Sequence, residues 1–132
     1  MNNFYLILTT VFLAYIIAQF FKLFTHKKLT FKHFLLGTGG LPSAHSSAIT
    51  SLSAIIYLTQ GLTSLLAVSL ILTILVIRDA VGVRYAVGVN AEILKKKFPK
   101  EKVLISKGHT LQDVFFGVVI GIIVATAVFL IW

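Results

Sequence analysis

The stretch that decides the fold reads Gly39-Gly40-Leu41-Pro42-Ser43-Ala44-His45-Ser46-Ser47 and lies between two strongly apolar segments. Proline favours the first position of a helix, because its missing N–H would have no partner there. We therefore predict a helix that begins near Pro42, with the N–H groups of Ser43, Ala44 and His45 pointing out of its first turn. Such a helix start attracts anions through its free donors and its dipole. The alternative interpretation is a glycine-rich break between two membrane helices, whose serines pack against neighbouring helices.

The composition around this stretch is typical of a membrane protein. The chain has 132 residues, is 58% hydrophobic, carries a net charge of +8 and contains no cysteine. We predict a single membrane domain over residues 1–132. The lack of cysteine excludes disulfides, thiolate catalysis and cysteine metal sites. In so apolar a chain the positive charge favours anionic lipid and phosphate-bearing substrates over nucleic acid.

Apolar runs separated by basic segments predict an all-α integral membrane bundle with about four transmembrane helices. These helices are expected to begin near Phe4, Pro42, Thr63 and Val114. A bilayer core needs about 20 helical residues, which the first run supplies on its own. A short interfacial helix is expected from Thr30 to Leu36, where aromatic and basic residues alternate.

The distribution of basic residues predicts the orientation of the bundle. All the lysines and arginines lie between Lys22 and Lys107, in or beside the segments that follow the first and third helices. The positive-inside rule makes these two basic loops cytoplasmic and both termini external. Lysines recruited for a phosphate site would bias the same count. The expected location is the plasma membrane of a prokaryote.

The third helix carries its charges near the membrane boundary. Its apolar run ends at Ile77 and is followed by Arg78, Asp79 and Arg84. Ionisable residues at this depth are costly, and they usually pair or line a site. Arg78 and Asp79 are adjacent and able to neutralise one another, whereas Arg84 has no acid at a spacing of three or four residues. We therefore expect Arg84 to be free to bind an external anion.

A second polar segment, residues 109–113, precedes the fourth helix. Thr110 and Asp113 together predict a capping box, which gives the aspartate a structural role. Small residues continue from Asp113 at four-residue spacing: Gly117, Gly121 and Ala125. Such a stripe should face another helix and direct Asp113 into the bundle. His109 and Asp113 are also four residues apart, and a carboxylate beside an imidazole supports the charge that develops when the ring attacks.

These residues carry a resemblance to a known group of proteins. The sequence resembles the divergent branch of the type 2 phosphatidic-acid phosphatase superfamily, which is related to acid phosphatases and vanadium-dependent haloperoxidases. The matching stretches are residues 39–46, 78–84 and 108–113. They are spread over most of the chain, and they are specific as a set although each is weak alone.

The resemblance implies a phosphatase that works without a metal or cofactor, through a phosphohistidine. His109 would be the nucleophile, Asp113 its partner, and His45 the general acid that protonates the leaving oxygen. The phosphate-binding residues implied are Ser43, Ala44, Arg84 and Lys22, of which Lys22 would correspond to the lysine of the superfamily's first motif. The implied substrate is a phosphomonoester or diphosphate of a lipid, bound at the cytoplasmic face of the membrane.

The sequence also departs from the superfamily pattern. Ala44 stands in place of glycine, no Arg-Pro follows Lys22 at the usual spacing, and Val103 occupies the position of the third-motif arginine. A non-catalytic membrane protein of the same fold, which binds lipid phosphate or a partner, therefore remains the alternative. A small transporter subunit is a third interpretation, supported mainly by Arg78 and Asp79 within the membrane. An anionic membrane surface is an expected partner of any of these, and a homo-oligomer is compatible with all.

Overall fold

The computed structural model describes residues 3–25, 40–103 and 108–132. Their helices are α1 Asn3–Thr25, α2 Ala44–Gln60, α3 Ser64–Arg78, a π-helix Asp79–Val83, α4 Arg84–Lys97 and α5 Leu111–Ile131. No strand occurs within these ranges, so the predicted all-α class is confirmed. The interfacial helix expected at residues 30–36 lies outside the described residues.

Three helices in the described part of the chain are long and apolar enough to cross a membrane. They are α1, the continuous helix formed by α3, the π-helix and α4, and α5. Helix α2, which was also expected to span the membrane, has only 17 residues. At ~1.5 Å per residue it is about 26 Å long, shorter than the ~30 Å core of a bilayer. The chain therefore forms a helical membrane bundle in which α2 is the short member.

Helix α2 lies at the centre of the bundle and packs against α1, α3 and α5. Its hydroxyl groups join it to two of these neighbours. Ser47 Oγ donates to the carbonyl oxygen of Ala14 in α1 at 3.1 Å, and Ser53 shares a hydrogen bond of 2.9 Å with Thr73 in α3. The buried Ser53 therefore packs against a neighbouring helix, as small polar residues of membrane helices commonly do.

Helices α2 and α5 approach so closely that only glycine fits at two points of contact. A Cβ atom at Gly117 would overlap the carbonyl oxygen of Ser43, and one at Gly121 would lie 2.5 Å from the carbonyl oxygen of Ser47. Ala125, the next member of the stripe, is fully buried. The prediction that this stripe faces another helix is confirmed. The second contact lies four residues further along α2 and also four residues further along α5. The two helices therefore run parallel and begin at the same end of the bundle.

The start of α2 differs from the prediction by two residues. The helix begins at Ala44 and not at Pro42, because Ser43 takes an extended conformation and its side chain caps the first turn. The N–H of Ser43 donates to the carbonyl oxygen of Asp113 at 2.9 Å, so it does not point out of the helix as expected. The N–H groups of Ala44 and His45 do belong to the first turn, where no carbonyl group lies four residues earlier in the helix.

The third helix continues past its apolar run, which ends at Ile77. It passes through the π-helix into α4 and forms one helix of 34 residues, Ser64–Lys97. In the π-helix the backbone bonds join residues five apart, and the N–H of Arg84 accordingly donates to the carbonyl of Asp79. Lysines 95–97, expected in a loop, form the last turn of α4. The apolar run alone does not indicate how far the helix continues, because charged residues follow Ile77.

Candidate functional site

The starts of α2 and α5 meet the end of α1 at one end of the bundle. The hydrogen bond from the Ser43 N–H to the Asp113 carbonyl joins the two starts directly. Thr25 Oγ1, the last residue of α1, donates to the carbonyl oxygen of Leu41 at 2.6 Å. The two polar segments singled out in the sequence therefore lie side by side, next to the last turn of α1.

The carboxylate of Asp113 serves the backbone and the neighbouring imidazole at once. Its Oδ2 accepts the N–H of Thr110 at 2.8 Å, and Thr110 Oγ1 accepts the N–H of Asp113 at 3.3 Å. These two bonds are the predicted capping box, which is confirmed. The same Oδ2 lies 3.6 Å from Nδ1 of His109, slightly beyond hydrogen-bond length. Since the cap fixes this carboxylate, the ring of His109 faces a stationary negative charge.

The ring of His109 is kept neutral by its surroundings. Its side chain is 1% exposed. Burial lowers the pKa of His109 from 6.5 to about 4, and the positive charge of Lys22 acts in the same direction, against the opposing charge of Asp113. At pH 7 the imidazole therefore has an unprotonated nitrogen, which a nucleophile or a general base requires.

Helix α1 contributes the ammonium group of Lys22 and the ring of Tyr15 to this end of the bundle. Lys22 is only 6% exposed. The charge of Asp113 acts on Lys22, and the charge of Lys22 acts in turn on His45. A lysine is rarely buried to this extent unless opposite charge is near. Two turns earlier on the same helix, the ring of Tyr15 stands edge-on to His45, with ring centroids 6.1 Å apart.

His45 is the exposed member of the cluster. It is the second residue of α2, and its electrostatic neighbours are Arg84, Lys22 and Asp79. His45 also acts on His109. The structure therefore gathers His45, His109 and Lys22 into what we call the histidine cluster, together with Asp113, and Arg84 lies at its edge.

The π-helix holds the segment before α5 in place. The N–H of His109 donates to the carbonyl oxygen of Ala80 at 3.2 Å. A Cβ at Gly108 would overlap backbone atoms of Tyr85 and Arg84, so the glycine lets the two backbones touch. Sequence reasoning missed Ala80 and Gly108 as supports of the site. A glycine directly before a histidine and a helix start was the available signal for the second of them.

The expectation that Arg84 has no acidic partner is wrong. Its Nε donates to Oδ2 of Asp79 at 2.5 Å, and the two side chains are 42% and 40% exposed. The reason is the π-helix, which brings residues five apart onto one face. Asp79, which is adjacent to Arg78 and able to neutralise it, is engaged by Arg84.

A cavity adjoins the histidine cluster. Its volume is about 370 Å³, and it is lined by Val81, Tyr85, His109, Thr110, Leu111 and Gln112. It lies between the π-helix and α4 on one side and the start of α5 on the other.

Fold and site together define a class of protein. It is a helical membrane protein in which two histidines, an aspartate and a lysine lie together where the starts of α2 and α5 meet the end of α1. The chain belongs to the divergent PAP2 family, whose model matches residues 1–124. It is similar to the uncharacterized membrane protein YuiD of Bacillus subtilis (strain 168), with 37% identity over 107 residues that cover 65% of this chain and 68% of the relative. No solved structure matches the chain. The family that the motifs resemble is thus confirmed.

Proposed function

We propose that this protein is a metal-independent phosphatase that hydrolyses a phosphomonoester or diphosphate of a lipid, through a phosphohistidine formed on His109. The observation that carries the proposal is the buried, neutral ring of His109 with its Nδ1 3.6 Å from the carboxylate of Asp113. Membership in the divergent PAP2 family supports phosphate chemistry for the chain as a whole. The apolar surface of the three long helices favours a substrate that is itself held in the membrane.

The proposed reaction has two steps. Because Nδ1 of His109 faces Asp113, Nε2 is the nitrogen that attacks phosphorus. The bond from phosphorus to the leaving oxygen breaks, and His45 gives that oxygen its proton. Water then attacks the phosphohistidine while His45 takes a proton from the water and so regains the one it gave; the bond from phosphorus to Nε2 breaks, which releases phosphate and restores the free ring. The charge of Asp113 stabilises the positive ring that exists between the two steps.

The proposed phosphate site combines charges with helix-start donors. The ammonium group of Lys22 and the guanidinium of Arg84 would neutralise the phosphate oxygens. The first-turn N–H groups of Ala44 and His45 would donate to the same anion, as helix starts commonly do. Ser43 already accepts the N–H and the hydroxyl of Ser46, so its own hydroxyl proton is the group it could offer to phosphate.

A non-catalytic protein that binds lipid phosphate is the second candidate. One specific observation favours it: Asp113 is fully explained as the capping residue of α5, whether or not it assists a reaction. The departures at Ala44 and Val103 favour the same view. Such a protein would keep the cations and the helix start but would never transfer the phosphoryl group to His109.

Phosphate release by the purified protein distinguishes the two candidates. The assay presents detergent-solubilised protein with phospholipids and polyprenyl phosphates, with and without EDTA. We expect release that EDTA does not reduce and that His109→Ala and His109→Gln both abolish. Thr126→Ala, an exposed change on the same helix, is the matched control. Binding of these lipids without release would favour the second candidate, and EDTA-sensitive release would contradict the mechanism.

We also infer that the basic segments face the cytoplasm and that the protein lies in the plasma membrane of a prokaryote. The orientation rests on the positive-inside rule alone. Because the chain contains no cysteine, single cysteines can be introduced as Asn3→Cys and Lys97→Cys. In intact cells an impermeant maleimide should label the first variant and not the second. The reverse pattern would contradict the orientation.

A further inference from the structure

The π-helix brings together two charges that an α-helix would hold apart. Five residues along an α-helix rotate a side chain by about 500°, which is roughly 140° beyond a full turn. In the wider π-helix residues five apart fall on one face, and Nε of Arg84 reaches Oδ2 of Asp79 at 2.5 Å. Single π-turns within α-helices are rare and occur frequently at functional sites. The pairing of Asp79 with Arg84 is therefore a specific product of this turn.

The contact engages one of the five N–H donors of the guanidinium. Asp79 takes Nε, which leaves the two terminal nitrogens as a fork that matches two oxygens of a phosphate. Within residues 3–25, 40–103 and 108–132, no other hydrogen bond to the Arg84 side chain is found. The side chain is 42% exposed, so an anion can reach the fork.

Arg84 is also fixed relative to the histidine cluster by its backbone. The start of α4 touches Gly108 directly, and the π-helix carbonyl of Ala80 holds the N–H of His109. The charge of Arg84 also acts on His45. The π-helix thus fixes the backbone position of His109 and that of Arg84.

We propose that Asp79 is a positioning residue, which holds the guanidinium of Arg84 at the edge of the histidine cluster with its terminal nitrogens directed to the substrate phosphate. The inference rests on the proposed function and deepens it, because it names the group that orients the phosphate-binding arginine. Asp79 touches none of the reacting atoms; it holds Arg84, and its charge also acts on His45. A carboxylate alone would repel a phosphate, so its place beside the cluster is accounted for by its contact with the arginine.

The test compares orthovanadate binding, as a phosphate mimic, with the KM and kcat for an aryl phosphate. Asp79→Asn should raise the vanadate Kd and the KM by about two- to fivefold, as expected for an exposed ion pair, with little change in kcat. Asp79→Glu should recover most of the affinity, and Lys96→Ala, which removes an exposed charge at the end of α4, should change nothing. Both Asp79 and Arg84 are about 40% exposed, so these variants are expected to fold.

The doubly substituted variant Asp79→Arg with Arg84→Asp separates positioning from mere pairing. The exchange restores an ion pair but moves the cation away from the cluster, so the vanadate Kd should stay raised. Full recovery in the exchanged variant, or an unchanged Kd and KM in Asp79→Asn, would overturn the inference and leave the proposed function standing. Wild-type protein that neither binds vanadate nor releases phosphate would overturn both together.

Discussion

Replacement of Asp113 by asparagine separates the two tasks of its carboxylate. The amide of Asp113→Asn keeps an oxygen that can accept the N–H of Thr110, so the cap of α5 is preserved. The variant loses the negative charge that faces Nδ1 of His109. We therefore expect a large loss of turnover with little change in the free energy of unfolding.

The size of this loss follows from the geometry. A unit charge 3.6 Å from a positive ring contributes about 4–5 kcal/mol at an effective dielectric constant of ~20. The two side chains are 1% and 11% exposed, so solvent screens this interaction little. The corresponding fall in kcat is roughly 10³-fold. Asp113→Ala removes the charge and the cap, so it should also lower the free energy of unfolding by about 1 kcal/mol.

Two measurements on the same preparations check this prediction. Phosphate release from saturating aryl phosphate gives kcat, and denaturant unfolding in detergent gives the free energy of unfolding. The two variants should agree in kcat and differ in stability. If Asp113→Asn keeps kcat within about tenfold of the wild type, the carboxylate is a helix cap alone and the argument from its charge fails.

The remaining predictions concern the two histidines, the α2–α5 contact and pH. His109→Ala should be inactive toward every substrate, whereas His45→Ala should keep activity toward aryl phosphates with good leaving groups, because it loses only acid assistance worth about 10²–10⁴-fold; equal losses on such substrates would refute the assigned roles. Gly117→Ala should lower the free energy of unfolding by about 1–3 kcal/mol, because its Cβ would overlap the Ser43 carbonyl, while Gly82→Ala, with no atom within 4 Å of its Cβ, should not; thermal unfolding in detergent compares them. Because the pKa of His109 is lowered to about 4, kcat/KM should persist on acidification from pH 7 and fall only as the pH approaches that value, so a profile that falls near pH 6.5 would contradict the effect of burial.

Local spacing was sufficient to predict much of the bundle. The capping box at Thr110 and Asp113 depends on residues three apart in one turn, and the structure confirms it. The small-residue stripe through Gly117 and Gly121 depends on four-residue spacing, and it too is confirmed. Features of this kind can be predicted because a helix alone determines which side chains share a face.

Features decided by contacts between distant segments could not be predicted in the same way. The prediction placed the start of α2 near Pro42, but it did not show that Ser43 is the cap or that the N–H of Ser43 bonds to Asp113, 70 residues further along the chain. The π-helix has no periodic signature, and its carbonyl at Ala80 is engaged by His109 from another segment. The partner of Arg84 was missed for this reason, since only the wider turn brings Asp79 to it.

Detection of the phosphoryl group on His109 tests the central claim most directly. Protein mixed with an aryl phosphate is quenched in alkali, where phosphohistidine survives, and its peptides are examined by mass spectrometry. The account predicts one added phosphoryl group on the peptide that contains His109, and none in His109→Gln. Steady release of phosphate with no phosphoryl group on His109, or continued release by His109→Gln, would contradict it.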